Sequence, residues 1–171
     1  MAESDRNELR RGLDFFAYEL WMLQSTADRV LCGSSSDVPT RNALLESFLI
    51  HARALIDFFS NKNAKDDDIM ASHYVGDHNW ELTELLKNER ARINKQVAHL
   101  TSARDIVPTA RKRHDVMAIR TDISVLVEQF LRVVDPTLLG DRFVKLEPIA
   151  AERPIQVSVA FIQTNCTTGM D

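Results

Sequence analysis

Arg92 and His99 are the two residues whose types and spacing could do chemistry together. They lie seven positions apart in a predicted helix, and at about 100° per residue seven steps fall about 20° short of two full turns. Both side chains should therefore stand on one helix face, about 10 Å apart along the axis. The pair could hold a phosphate through the arginine and move a proton through the histidine. The apolar residues of the segment cluster on a different face and are Leu86, Ile93, Val97 and Leu100.

Further polar and basic residues lie near this pair in the sequence. Asn94 and Lys95 fall between its two members, and we expect them to contact phosphate or to orient His99. Two interpretations remain open for the basic residues that follow. They either form a phosphate-facing patch beside Arg92 or are a solvated, basic start of the next helix. The residues with these two alternatives are Arg111, Lys112, Arg113 and His114, and the phosphate-facing patch would also lie beside Arg104.

A structural role is the alternative for the pair itself. In that case Arg92 and His99 only hydrogen-bond acidic partners, for instance Glu46 or Asp57 on the second predicted helix.

Four long predicted helices must position these residues. Apolar residues recur at three- and four-residue steps over about 5–31, from after Asp37 to about 61, over about 80–103, and from after Thr109 to about 134. Mostly short connections favour an all-α, up-and-down four-helix bundle over residues 1–135. Residues 136–171 are predicted to form an extended C-terminal tail. Alternation over 155–161 is typical of a strand, which we expect to pair with residues 142–146 in a short β-hairpin or to remain a strand-like tail.

The first predicted helix is apolar on more than one face. Phe15, Tyr18, Trp21 and Met22 widen its apolar surface beyond the stripe that one core requires. Because a symmetric dimer is the commonest way to bury such a second face, we expect a homodimer.

Composition restricts the class of protein. The chain has 171 residues, 44% of them hydrophobic and 27% charged, as in one soluble globular protein. Its net charge of −4 means that nucleic-acid binding would need a local basic patch. No apolar run approaches the roughly 18 residues needed to span a bilayer, and the acidic N-terminus is unlike a signal peptide. With two distant cysteines, Cys32 and Cys166, we expect a cytoplasmic protein with free thiols and no membrane partner.

A long polar connection, residues 60–79, contains His73 and His78 near the acidic run 66–68. These side chains either bind a metal or belong to a solvated acidic loop. Since a five-residue spacing suits neither one helix face nor a compact zinc finger, we assign no metal site here.

The predicted bundle and the segment from Arg92 to Leu100, read as Arg-Ile-Asn-Lys-Gln-Val-Ala-His-Leu, resemble the HEPN superfamily. These are small all-helical proteins, often dimeric, whose active members cut RNA. Their signature is an arginine, four to six intervening residues and a histidine, and six residues intervene here. The Ala98-His99 ending looks like the version found in abortive-infection-type members.

The resemblance implies a metal-free endoribonuclease of defence or toxin–antitoxin systems, without a cofactor. A ribose 2′-hydroxyl would attack the adjacent phosphorus, His99 would serve as general acid or base, and Arg92 would stabilise the charge on the phosphate oxygens. A second copy of the site across the dimer interface would help, and an antitoxin-like protein and RNA are the implied partners. The alternative is a non-catalytic, HEPN-like dimeric binding or scaffold protein, in which Arg92 and His99 are apart or blocked by carboxylates.

Overall fold

The protein is mostly helical. The computed structural model describes residues 3–33, 37–60, 65, 67–98, 114–139 and 143, with only the backbone described for Gln96 and Ala98. Helices take up 79% of these residues, and none of the described residues lies in a strand. The all-α prediction is therefore confirmed for the described part, whereas the predicted C-terminal hairpin lies outside it.

Five α-helices and two tighter or wider helical turns follow one another along the described chain. The α-helices are α1 (Glu3–Leu31), α2 (Val38–Phe59), α3 (Ser72–Val75), α4 (Glu84–Ile93) and α5 (Val116–Val133). A π-helical turn, Asn94–Ala98, continues α4, and a 3₁₀ turn, Pro136–Leu138, follows α5. No described helix has an apolar stretch long enough to cross a membrane.

The first two long helices begin and end close to their predicted bounds. Asp37 caps α2, because its carboxylate accepts a hydrogen bond at 2.9 Å from the Thr40 backbone N–H. Pro39 occupies the first turn, where its missing N–H costs no helical hydrogen bond. Gly33, at a φ of 61°, follows the end of α1 in the left-handed conformation that glycine adopts readily.

The predicted starts of the other two long helices are wrong, and capping explains both differences. α4 begins at Glu84 rather than near Trp80, because the Thr83 hydroxyl accepts from the Leu86 N–H at 3.2 Å. α5 begins at Val116 and not just after Thr109, with Asp115 as its cap. His114, predicted within the first turns of that helix, therefore precedes it.

An aromatic cluster around Phe130 of α5 forms the centre of the core. Phe130 is fully buried, and five rings surround it at centroid distances of 5.2–6.1 Å. These rings come from α1, α2, α3 and the segment before α4, so one cluster joins four parts of the fold. The five residues are Phe16, Phe58, Phe59, Tyr74 and Trp80.

The second apolar face of α1 is only partly covered within the described chain, where the Tyr18 ring lies 5.9 Å from that of His51. Phe15 is 62% exposed and Tyr18 is 47% exposed. The Tyr18 ring lies 6.0 Å from that of Trp21, so three aromatic residues follow one another along this side of α1.

A close approach explains the one glycine that lies inside a long helix. Gly12 of α1 is buried beside Tyr74, whose hydroxyl donates to the Leu9 carbonyl at 3.1 Å. A methyl group at position 12 would overlap this hydroxyl and would lie 3.2 Å from Cγ2 of Ile69. Partial burial also raises the pKa of Tyr74 to about 12.

We expect Gly12→Ala to lower the free energy of unfolding by about 1–3 kcal/mol, because displacing the Tyr74 ring outweighs the gain of about 1 kcal/mol in helix propensity. Urea denaturation measures this loss. In a Tyr74→Phe background the substitution should cost less, since the nearest ring atom is then Cζ at 3.5 Å. An equal cost in both backgrounds would show that the hydroxyl is not the obstacle.

Candidate functional site

A buried carboxylate connects Arg92 to a histidine from a distant part of the chain. Glu89 of α4 is 3% exposed. One of its carboxylate oxygens accepts a hydrogen bond from Nη1 of Arg92, and the other lies 2.5 Å from Nδ1 of His114. Glu89 therefore joins the last turn of α4 to the residue that precedes the cap of α5.

Burial makes this cluster energetically important. The side chains of Glu89 and His114 are each 5% exposed, while that of Arg92 is 28% exposed. A carboxylate removed from water needs charged or hydrogen-bonding partners to offset its lost hydration. Arg92 and His114 supply these partners. Their contacts with Glu89 hold the end of α4 in place and orient the Arg92 guanidinium.

The helix changes its winding directly after Arg92 and Ile93. Residues 94–98 form a π-helical turn, which contains more residues per turn than an α-helix. The predicted alignment of Arg92 with His99 assumed an unbroken α-helix, whereas residues 94–98 are wound more widely; His99 itself lies outside the described residues. Single π turns inside helices are rare and frequent at functional sites.

The predicted site residues fall into two groups. Arg92, Asn94 and Lys95 lie on α4 and the π turn, with Asn94 half-buried and Lys95 exposed. The others lie outside the described residues, so their placement beside Arg92 stays a prediction. These are His99, Arg104, Arg111, Lys112 and Arg113.

Two members of the site were not assigned to it from the sequence. The spacing of Glu89, three residues before Arg92, is a signal that could have identified it, because side chains at this spacing are neighbours on a helix. His114 gave no such signal, since 25 residues separate it from Glu89. It was placed instead in a basic patch, either phosphate-facing beside Arg92 or solvated, and the solvated alternative is wrong for this residue, because its side chain is buried on Glu89.

The acidic residue that was expected to pair with the motif lies in a neighbouring ion-pair group. Asp57 of α2 accepts from Nε of Arg90, and its second oxygen lies 3.4 Å from Nε of Arg53. The sequence-based alternative named Asp57 or Glu46 as a partner of Arg92, whereas the structure places Arg92 in an ion pair with Glu89.

The two histidines of the polar connection have different surroundings. The Met70 backbone N–H lies 3.4 Å from Nδ1 of His73, while the His78 ring lies against Trp80 with centroids 4.2 Å apart. Within the described part of the chain, no group of three histidine, cysteine or acidic side chains is placed to hold a metal.

No protein-family model, no curated protein and no solved structure matches this chain. The HEPN resemblance therefore rests on the residues quoted from the sequence and stays a prediction.

Proposed function

We propose that this chain is a HEPN-like protein that cleaves RNA without a metal ion. The observation that carries the proposal is the ion pair between Arg92 and the buried Glu89, at the start of the π turn. The buried Glu89 carboxylate holds the Arg92 guanidinium, and the Arg92 side chain is partly exposed. An arginine held in this way is suited to bind a phosphate without losing its orientation.

In the proposed reaction each predicted residue has one task. Arg92 holds the scissile phosphate and stabilises the charge that grows on its oxygens. His99 takes the proton from the ribose 2′-hydroxyl or gives one to the leaving oxygen. Asn94 and Lys95 contact phosphate or orient His99, and the downstream arginines attract the RNA backbone. These are Arg104, Arg111 and Arg113.

The proposed architecture is a four-helix bundle that works as a homodimer. The exposed aromatic side chains of α1, Phe15 and Tyr18, support a second copy as the partner, since large exposed apolar groups in a row mark interaction surfaces. A dimer would supply a second His99, so that two histidines share the two proton transfers. Defence or toxin–antitoxin biology, with an antitoxin-like partner, follows from the same resemblance.

A non-catalytic binding or scaffold role is the second candidate, and one observation favours it. The Glu89 carboxylate already engages the charge of Arg92, which is the blocked arrangement expected if the fold is kept without the chemistry. In this case Arg92 and Glu89 serve only to hold the end of α4.

RNA cleavage by the intact chain separates the two candidates. Labelled single-stranded RNAs are incubated, in the presence of EDTA, with the wild-type protein or with one of three variants: His99→Ala, Arg92→Lys or Arg41→Ala. Arg41→Ala is the control, because Arg41 is an exposed arginine near the start of α2. We expect wild type and Arg41→Ala to leave 2′,3′-cyclic phosphate ends. His99→Ala should cleave about 10²–10⁴-fold more slowly, as is typical when a general acid or base is removed. Arg92→Lys keeps the charge and loses the bidentate fork, so it should also be slow.

Two results would contradict the enzyme proposal. Cleavage that survives His99→Ala would remove the proposed role of that residue. Absence of cleavage by wild type across several RNAs, with a folded protein confirmed by circular dichroism, would favour the binding or scaffold role.

A further inference from the structure

A polar cavity lies beside the π turn, and the proposed cleavage reaction does not account for it. It has a volume of about 530 Å³ and opens between α2, Lys65, residues 68–70 and the end of α4. Three cationic and two acidic side chains line it, which leaves one net positive charge. They are Arg53, Lys65, Arg90, Asp57 and Asp68.

Asp57 organises the two arginines of this cavity. One of its carboxylate oxygens accepts from Nε of Arg90, and the other lies 3.4 Å from Nε of Arg53. Two guanidinium groups thus share one carboxylate. Because Asp57 carries a single negative charge, the Arg53–Arg90–Asp57 group keeps one net positive charge. Since both pairs use the Nε edge, the Nη ends of the arginines are the groups that a ligand would meet.

The other acidic side chain is occupied within its own loop. Oδ2 of Asp68 accepts a hydrogen bond at 2.7 Å from the backbone N–H of Lys65. This contact ties Asp68 to the backbone and lowers its capacity to repel an anion. The Lys65 side chain is exposed at the rim of the cavity, where its ammonium adds to the positive potential.

Two polar atoms on the cavity wall are buried without a hydrogen bond. They are Oδ1 of Asn94 and Nε of Arg53, for which no described residue supplies a partner of suitable geometry. Such atoms are rare in native proteins, because each has lost its hydrogen bonds to water without gaining others. Nε of Arg53 still lies 3.4 Å from the Asp57 carboxylate, so Oδ1 of Asn94 is the atom for which the described residues supply no polar partner.

We propose that this cavity binds a phosphorylated small molecule of about mononucleotide size. Guanidinium groups match the oxygens of a phosphate in geometry and charge, and Arg53, Arg90 and Lys65 present three cations to it. A volume of about 530 Å³ lies in the range of small-molecule sites and exceeds the need of a bare ion. The amide oxygen of Asn94 accepts from a hydroxyl or amino group on the rest of the ligand.

Isothermal titration calorimetry on the intact chain tests this site with AMP, adenosine and inorganic phosphate as probes. We expect AMP to bind, adenosine to bind at least tenfold more weakly, and phosphate to compete with AMP. Arg53→Ala should weaken AMP binding at least tenfold. Asn94→Asp keeps the side-chain size but adds a negative charge, so it should also weaken AMP at least tenfold. Arg120→Ala is the matched control, because Arg120 forms an ion pair with Asp28 elsewhere on the surface, away from the cavity.

Several results would overturn the proposal. These are no binding of AMP, equal binding of AMP and adenosine, an equal effect of Arg53→Ala and Arg120→Ala, or binding of single-stranded RNA without binding of AMP. Thermal melting of each variant shows whether it remains folded, and Asn94→Asp keeps the test decisive if Arg53→Ala unfolds. The nucleotide site does not depend on RNA cleavage. AMP binding by a chain that leaves RNA intact would support the site. RNA cleavage without AMP binding would refute the site and leave the proposed cleavage activity standing.

Discussion

Glu89→Ala is expected to lower the free energy of unfolding by about 3–5 kcal/mol, measured by urea denaturation near pH 7. The substitution removes a carboxylate that is 5% exposed and leaves the polar groups of His114 and Arg92 without the partner they share. His114 is buried to the same extent, so it cannot recover its hydration without opening the junction between α4 and α5. Breaking a buried ion pair from one side costs this much because the remaining group stays desolvated.

Glu84→Ala is the control for this prediction. Glu84 lies one turn earlier on α4 and pairs with Lys87 at 2.7 Å, but its side chain is 80% exposed. Water replaces the lost partner there, so the urea midpoint should shift far less than in Glu89→Ala, by no more than the loss of an exposed charge from the first turn of α4. A double-mutant cycle with His114→Ala isolates the Glu89–His114 contact, and additive effects of the two substitutions would contradict the coupling that we infer.

Phe130→Ala is expected to lower the free energy of unfolding by about 3–5 kcal/mol, the usual cost of removing a fully buried aromatic ring. The five rings around it cannot all move inward, because they belong to different helices and segments, so a cavity remains at the centre of the core. The three edge-to-face contacts with Phe58, Tyr74 and Phe59, at 5.2, 5.8 and 6.1 Å, are lost with it.

Phe15→Ala is the matched control, since it removes the same side chain from a position that is 62% exposed. For the isolated chain its effect should stay within about 0.5 kcal/mol. A free energy of unfolding that rises with protein concentration in wild type, but not in Phe15→Ala, would locate the proposed dimer interface on this face of α1. A Phe130→Ala variant as stable as Phe15→Ala would contradict the central position of Phe130 in the core.

Local sequence features predicted the long helices well where the relevant contacts are local. The apolar stripe of α2 and its Asp37 cap depend on residues three and four positions apart, and α2 begins where they indicate. The starts of α4 and α5 were placed too early, because Thr83 and Asp115 compete with earlier positions as caps and apolar periodicity alone does not rank them.

The candidate site was only partly predictable for a related reason. Arg92, Asn94 and Lys95 were identified from their types and spacing, whereas the π turn that carries two of them was not, since π turns depend on packing more than on residue type. The predicted acidic partner on α2 proved to belong to Arg53 and Arg90, because which carboxylate meets which arginine depends on how α2 and α4 are rotated against each other.

The sequence by itself determined that the chain is mostly helical, where α1 and α2 lie, and that an arginine and a histidine fall seven residues apart in the segment after Glu89. These properties follow from periodicity and capping, which act over a few residues. Only the tertiary structure decided that His114 shares a buried carboxylate with Arg92, and that Asp57 gathers two arginines around a cavity. Each arrangement includes one pair more than 20 positions apart, His114 with Glu89 and Arg90 with Asp57, and helix packing rather than local spacing brings such pairs together.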